Sequence, residues 1–240
     1  MSKNLKCTMG WLLLFVLTVK PGRILGQDLY EAYLAGDMSV WGAYIADMEG
    51  QDCLTLDEVA RVTNYEYGYI AWCIDEKRID EAKRRLDVFI SHIDYLEKKG
   101  YSPSMVAVYR SSVCAYQLSL YKKKFLQMAK EALDYANQAI ELDEKNPIAL
   151  TLQGNVKMHM PAMLGGSDAK ALEFFLESET LMRNAGKVDD WNFRSLQLCI
   201  AQCYEKVEGK KRAARYCEEV LKEVPNFVYL RDVYYKKLIE

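Results

Sequence analysis

The sequence predicts an all-α protein assembled from antiparallel helix hairpins. Three observations carry that expectation. Apolar residues return at intervals of three and four in one segment after another, the spacing of a single helix face. Capping pairs stand just ahead of several of these segments, Ser102-Pro103, Asn146-Pro147, Ser167-Asp168 and Asp189-Asp190, where they satisfy or replace the free N–H groups of a first turn. No segment reads as a credible strand.

The first 26 residues form an address rather than structure. Lys3 and Lys6 precede the apolar run Trp11 to Val19, and a polar stretch then leads to Ile24-Leu25-Gly26. That order of charged, apolar and small-residue regions is a secretory signal peptide cut near Gly26, and the apolar run is well short of the roughly 20 residues that span a bilayer. Removing it takes away Lys3, Lys6, Lys20 and Arg23 and leaves 28 basic against 34 acidic side chains. A net charge of −6 on the processed chain argues against nucleic acid or an anionic lipid surface as the main partner. The expected location is therefore periplasmic or secreted. No later segment is apolar enough to make the processed chain an integral membrane protein.

Residues 27–55, with Tyr30, Tyr33, Leu34, Trp41, Tyr44, Ile45 and Met48, are expected to form one or two helices docked at the N-terminal end of the hairpin array. From Leu56 to Glu76 the apolar set Val59, Val62, Tyr69, Ile70, Cys73 and Ile74 marks a helix, and Ile79, Ala82, Leu86, Phe89, Ile93 and Leu96 mark its partner. Ser102-Pro103 opens the next helix through Val106, Tyr109, Val113 and Leu120. Met128, Ala132, Ala136, Ala139 and Leu142 form the one after Lys122-Lys123-Lys124. Helices beginning at Pro147, Ser167 and Asp189-Asp190 follow, and breaks at Glu208-Gly209 and Pro225-Asn226 separate the last three.

The last unit points to a family. Ile200, Ala201 and Tyr204 on one helix are followed by Ala213, Cys217 and Val220 on the next, with Pro225 closing the unit. In these apolar, small, aromatic and proline positions the chain resembles the tetratricopeptide repeat family. Gly154 with Ala171, Phe175 and Ser178 looks like a second such unit, Ala132, Ala136 and Ala139 like part of a third, and Ala82, Leu86 and Phe89 like a degenerate first. The repeat alanines Ala82, Ala132, Ala171 and Ala213 lie 50, 39 and 42 positions apart, against a regular unit of roughly 34. Insertions are therefore expected, one around Lys122 to Gln127 and one in Met160 to Ser167. Exported tetratricopeptide proteins with a Pro and then Gly-Gly-Ser between paired helices are similar, as is the periplasmic tetratricopeptide component associated with some TRAP transporters.

The resemblance implies a right-handed α-solenoid of about four helix pairs over residues 56–225, capped by a helix over 226–240. It also implies a non-enzymatic scaffold of the bacterial cell envelope that binds a protein or peptide in its concave groove. Taking Gly154 as the close-packing position of its helix, Asn155, Met158 and His159 face that groove. Ser195, Leu198, Cys199, Gln202, Glu205 and Lys206 do so in the last repeat. The other reading is a solute-binding component of a TRAP-type transporter assembly. An enclosed apolar cavity of several hundred cubic ångströms would favour it.

Chemistry is poorly represented. Gly165-Gly166-Ser167 lacks the Lys and the following hydroxyl of a phosphate loop and reads as a turn with Ser167 as N-cap. The two histidines, His92 and His159, lie far apart with no acid couple or nucleophile elbow, and His92 reads as a packing residue. Neither a metal site nor a cofactor is expected. The six cysteines left after processing show no compact framework. They read as buried thiols, or as a bridge from Cys217 to Cys203 or Cys199.

Overall fold

A computed structural model describes residues 26–121 and 125–240, so all but the last residue of the segment expected to be a signal peptide, and the lysines Lys122 to Lys124, lie outside the described residues. The chain folds as α1 (Gly26–Ala35), α2 (Met38–Glu49), α3 (Leu56–Asp75), α4 (Ile79–Lys98), α5 (Pro103–Leu120), α6 (Phe125–Leu142), α7 (Pro147–His159), α8 (Asp168–Asn184), α9 (Trp191–Val207) and α10 (Lys210–Glu223). A π-helical stretch, Tyr229–Tyr235, then runs into α11 (Lys236–Ile239). No strand occurs among the described residues.

Local chemistry sets the helix starts. Ser102, Asn146, Ser167 and Asp190 each accept a backbone N–H of the first turn, and α3 begins with a capping box between Thr55 and Glu58. The Gly-Gly turn is built the same way. Gly165 sits at φ 98°, in the left-handed region open to glycine, and a Cβ on Gly166 would overlap the Met160 carbonyl. Ser167 N–H then donates to the Lys157 carbonyl at 2.9 Å, which returns the chain to α7.

Consecutive helices pair as α3·α4, α5·α6, α7·α8 and α9·α10, and the odd-numbered helices also touch the next odd one along the chain. The even-numbered helices make no comparable contacts with each other. An inner layer of α3, α5, α7 and α9 therefore carries an outer layer of α4, α6, α8 and α10. Small residues permit the approach: a Cβ at Gly154 would strike the Phe175 ring, and Ala171, Phe175, Ala201, Tyr204 and Ala213 are buried in one cluster. Pro225 follows α10 directly, after its C-cap Val224.

The N-terminal helices dock on the first hairpin through α2 and α3 and also reach the fourth through α1 and α9. Trp41 packs against Trp191 with ring centroids 5.1 Å apart, and Trp191 belongs to the core cluster of α2 and α3. Arg194 Nε donates to the Tyr30 hydroxyl at 2.9 Å, Asn192 Nδ2 to Asn64 Oδ1 at 3.3 Å, and Asn226 Nδ2 to Glu31 Oε2 at 3.0 Å. Behind Arg194, a buried network runs through Gln197 to Glu179, which also accepts from the Tyr216 hydroxyl. Buried polar groups cost stability unless paired, and here the pairing joins four helices. No helix among the described residues is long and apolar enough to cross a membrane.

Candidate functional site

The inner helices and the bridging pair line a partly open cavity of about 450 Å³. Its walls are aromatic: Tyr33, Trp41, Tyr67, Trp72, Tyr116 and Trp191 all line it. Trp41 is held edge-on to Tyr65 and Trp191 at 4.9 and 5.1 Å between ring centroids, and its indole N–H donates to the Leu29 carbonyl at 2.7 Å. Gly68 allows the two indoles to close over α3, since a Cβ there would lie 2.8 Å from both rings. The Trp191 indole N–H is buried without a hydrogen-bond partner among the described residues. Such an unmade bond costs free energy in the closed fold and leaves a donor for an acceptor that reaches it.

The remaining wall is neutral and polar. Ser112, Thr151, Asn155, Asn192 and Ser195 line it, and among the described residues no Lys, Arg, Asp or Glu does. One stripe of α7, Ile148, Thr151, Leu152, Asn155 and His159, faces the cavity at helical spacing. His159 is exposed and stands at the solvent edge. Partial desolvation, and then the nearby Lys206 ammonium, push its pKa below the ordinary imidazole value, which favours the neutral ring. The phenols keep their protons: burial pushes Tyr67 up to about 12 and raises Tyr33 and Tyr116 as well.

Of the residues expected to face a groove, Asn155, His159 and Ser195 line this cavity. Met158 does not. It is buried in the core of the C-terminal half, where the Cys203 thiol lies 3.5 Å from its sulfur. The reason is helical phase: Met158 precedes His159 and lies about 100° away from the stripe of Thr151, Asn155 and His159, toward Cys203 of α9. Leu198 and Cys199 pack half-buried on that same core, and Gln202 is half-buried. Glu205 accepts from the Tyr234 hydroxyl at 2.8 Å, which turns it toward the C-terminal helical segment, and Lys206 pairs with Asp168 at 3.1 Å. The six cysteines are free, with no bridge from Cys217. Burial raises the Cys199 and Cys203 thiols to about 12 and 11, so neither is an activated nucleophile. His92 is half-buried and meets the buried carboxylate of Glu66 at 2.8 Å, away from either cavity.

A second cavity, of about 530 Å³, lies where α3, α5, α7 and α9 begin. Asp57, Arg61, Lys145, Lys187 and Asp190 line it, and it shares Ile148 and Asn192 with the aromatic cavity. No group of three or more His, Cys, Asp or Glu side chains suited to a metal ion occurs among the described residues.

These features define an all-helical protein with an uncharged aromatic cavity. No protein-family model matches the chain, and no curated protein matches it in sequence. Among solved structures the chain is similar to the HusA haemophore from Porphyromonas gingivalis, with a TM-score of 0.59 at 19% identity over 78% of this chain and 96% of that one. At that identity the likeness is one of fold.

Proposed function

We propose that this chain is a non-enzymatic, exported binding protein of tetratricopeptide-like solenoid form whose aromatic cavity holds a planar, largely apolar ligand, with a tetrapyrrole as the ligand class. The observation that carries the reading is the cavity wall itself. The half-buried rings of Tyr33, Tyr67 and Trp72, backed by the buried rings of Trp41, Tyr116 and Trp191, give about 450 Å³ an aromatic wall against which a flat molecule can stack, in the size range of small-molecule sites. Gly68 lets the Trp41 and Trp191 rings close over α3 and so completes this wall. With no cation in the lining, carboxylates on the ligand would remain at the solvent edge. The fold shared with a haemophore favours a tetrapyrrole over other flat molecules.

Solenoid form rests on the paired hairpins and the inner layer of odd helices, and export rests on the charged, apolar and small-residue order before Gln27. A second reading is a peptide partner that inserts an aromatic side chain, favoured by the amide and hydroxyl groups of Asn155, Asn192 and Ser195 along one wall.

Titration of the purified protein with iron protoporphyrin IX, followed by tryptophan fluorescence and Soret absorption, tests the proposal. Saturable quenching with a bound-state Soret band is expected. A response that stays linear up to about 100 μM porphyrin defeats the ligand class.

A further inference from the structure

Resting on the tetrapyrrole reading, we infer that His159 is the residue by which this cavity would recognise a bound metal, its imidazole being the group that would supply a nitrogen ligand to the iron of a metallated tetrapyrrole. The placement follows from α7. Thr151, Asn155 and His159 recur every four residues and all line the cavity, so the imidazole belongs to the helix face turned toward the ligand. The chain holds two histidines, and the other, His92, is engaged by buried Glu66. No hydrogen bond or ion pair holds the His159 ring among the described residues, which leaves a nitrogen lone pair available.

The competing donors in the lining are weaker. Tyr33, Tyr67 and Tyr116 are protonated phenols held by burial, whereas phenolate is the form that ligates iron. Met38 lines the cavity as a buried thioether on the far helix α2, a softer donor than imidazole for ferric iron. A neutral imidazole is the protonation state that coordinates, and desolvation together with Lys206 favours it, opposed by Asp168. Lys206 and Asp168 pair with each other at 3.1 Å, so neither needs the His159 ring as a partner.

The test compares iron(III) protoporphyrin IX with metal-free protoporphyrin IX on the wild-type protein and on His159→Ala, with circular dichroism confirming that the variant is folded. Wild type is expected to give the absorption spectrum of a nitrogen-ligated ferric porphyrin. His159→Ala should lose that spectrum and bind the iron porphyrin at least about tenfold more weakly, while the metal-free porphyrin binds both proteins within about twofold. Added imidazole should restore the spectrum of the variant. An unchanged iron-porphyrin spectrum and affinity in His159→Ala overturns the inference and leaves the tetrapyrrole reading standing. Equal weakening of both porphyrins also overturns it, by assigning His159 a packing role. Failure of the wild type to bind either porphyrin overturns the inference together with the reading beneath it.

Discussion

The aromatic cavity and the cavity at the helix starts are close in volume, about 450 against 530 Å³, and share the wall residues Ile148 and Asn192, yet they offer a ligand opposite environments. One is lined by indoles, phenols, amides and hydroxyls. The other gathers Asp57, Arg61, Lys145, Lys187 and Asp190, charges of both signs that stay hydrated. Volume therefore does not single out the binding site. What separates the two is the cost of removing water, which is low against aromatic faces and high against charged side chains.

Substitutions on the two sides should fall at different scales. Trp41→Ala removes a fully buried indole and its bond to the Leu29 carbonyl, and about 3–5 kcal/mol of unfolding free energy should go with it in denaturant titrations, along with porphyrin binding. A loss below about 1 kcal/mol would mean that the aromatic wall is not a packed unit. Gly68→Ala is a smaller intrusion. Its methyl must displace Trp41 or Trp191, costing about 1–3 kcal/mol and weakening ligand binding by distorting the wall, readable in the same two measurements. On the charged side, the double variant Arg61→Ala/Lys187→Ala should leave stability within about 0.5 kcal/mol and porphyrin affinity within about twofold. A tenfold loss of porphyrin affinity there would move the ligand to the other cavity.

Legibility in the sequence divided along the same line. Helices and their caps could be read because their causes are local. Ser102, Asn146, Ser167 and Asp190 act on N–H groups two or three residues away. Gly154 was readable as a close-packing position because its partner Phe175 sits in the adjacent helix of the same hairpin. The aromatic cavity was not, since it exists only where Trp41, Gly68 and Trp191 converge from three distant helices. Tyr30, Tyr33, Tyr44 and the single indole of residues 27–55, Trp41, were visible in the sequence, but packing and binding draw on the same side chains. Met158 shows the finer limit. Adjacent positions on a helix point about 100° apart, so a groove assigned from a single reference glycine can misplace a neighbour.

The bond between Tyr30 and Arg194 spans 164 positions of chain, and its consequence concerns the order in which the molecule assembles. A linear stack of hairpins can begin at any unit and spread to its neighbours. Here α1 and α2 leave the ribosome first, yet Tyr30 and Trp41 have no complete surface to dock on until α9 has been made. Closing so long a loop carries an entropic cost that grows only logarithmically with its length, but no native contact repays it until both ends are present. The bridging helices can thus pack on α3 early, but their contacts with α9 wait until most of the described chain has been made, and the aromatic cavity is completed only with those contacts.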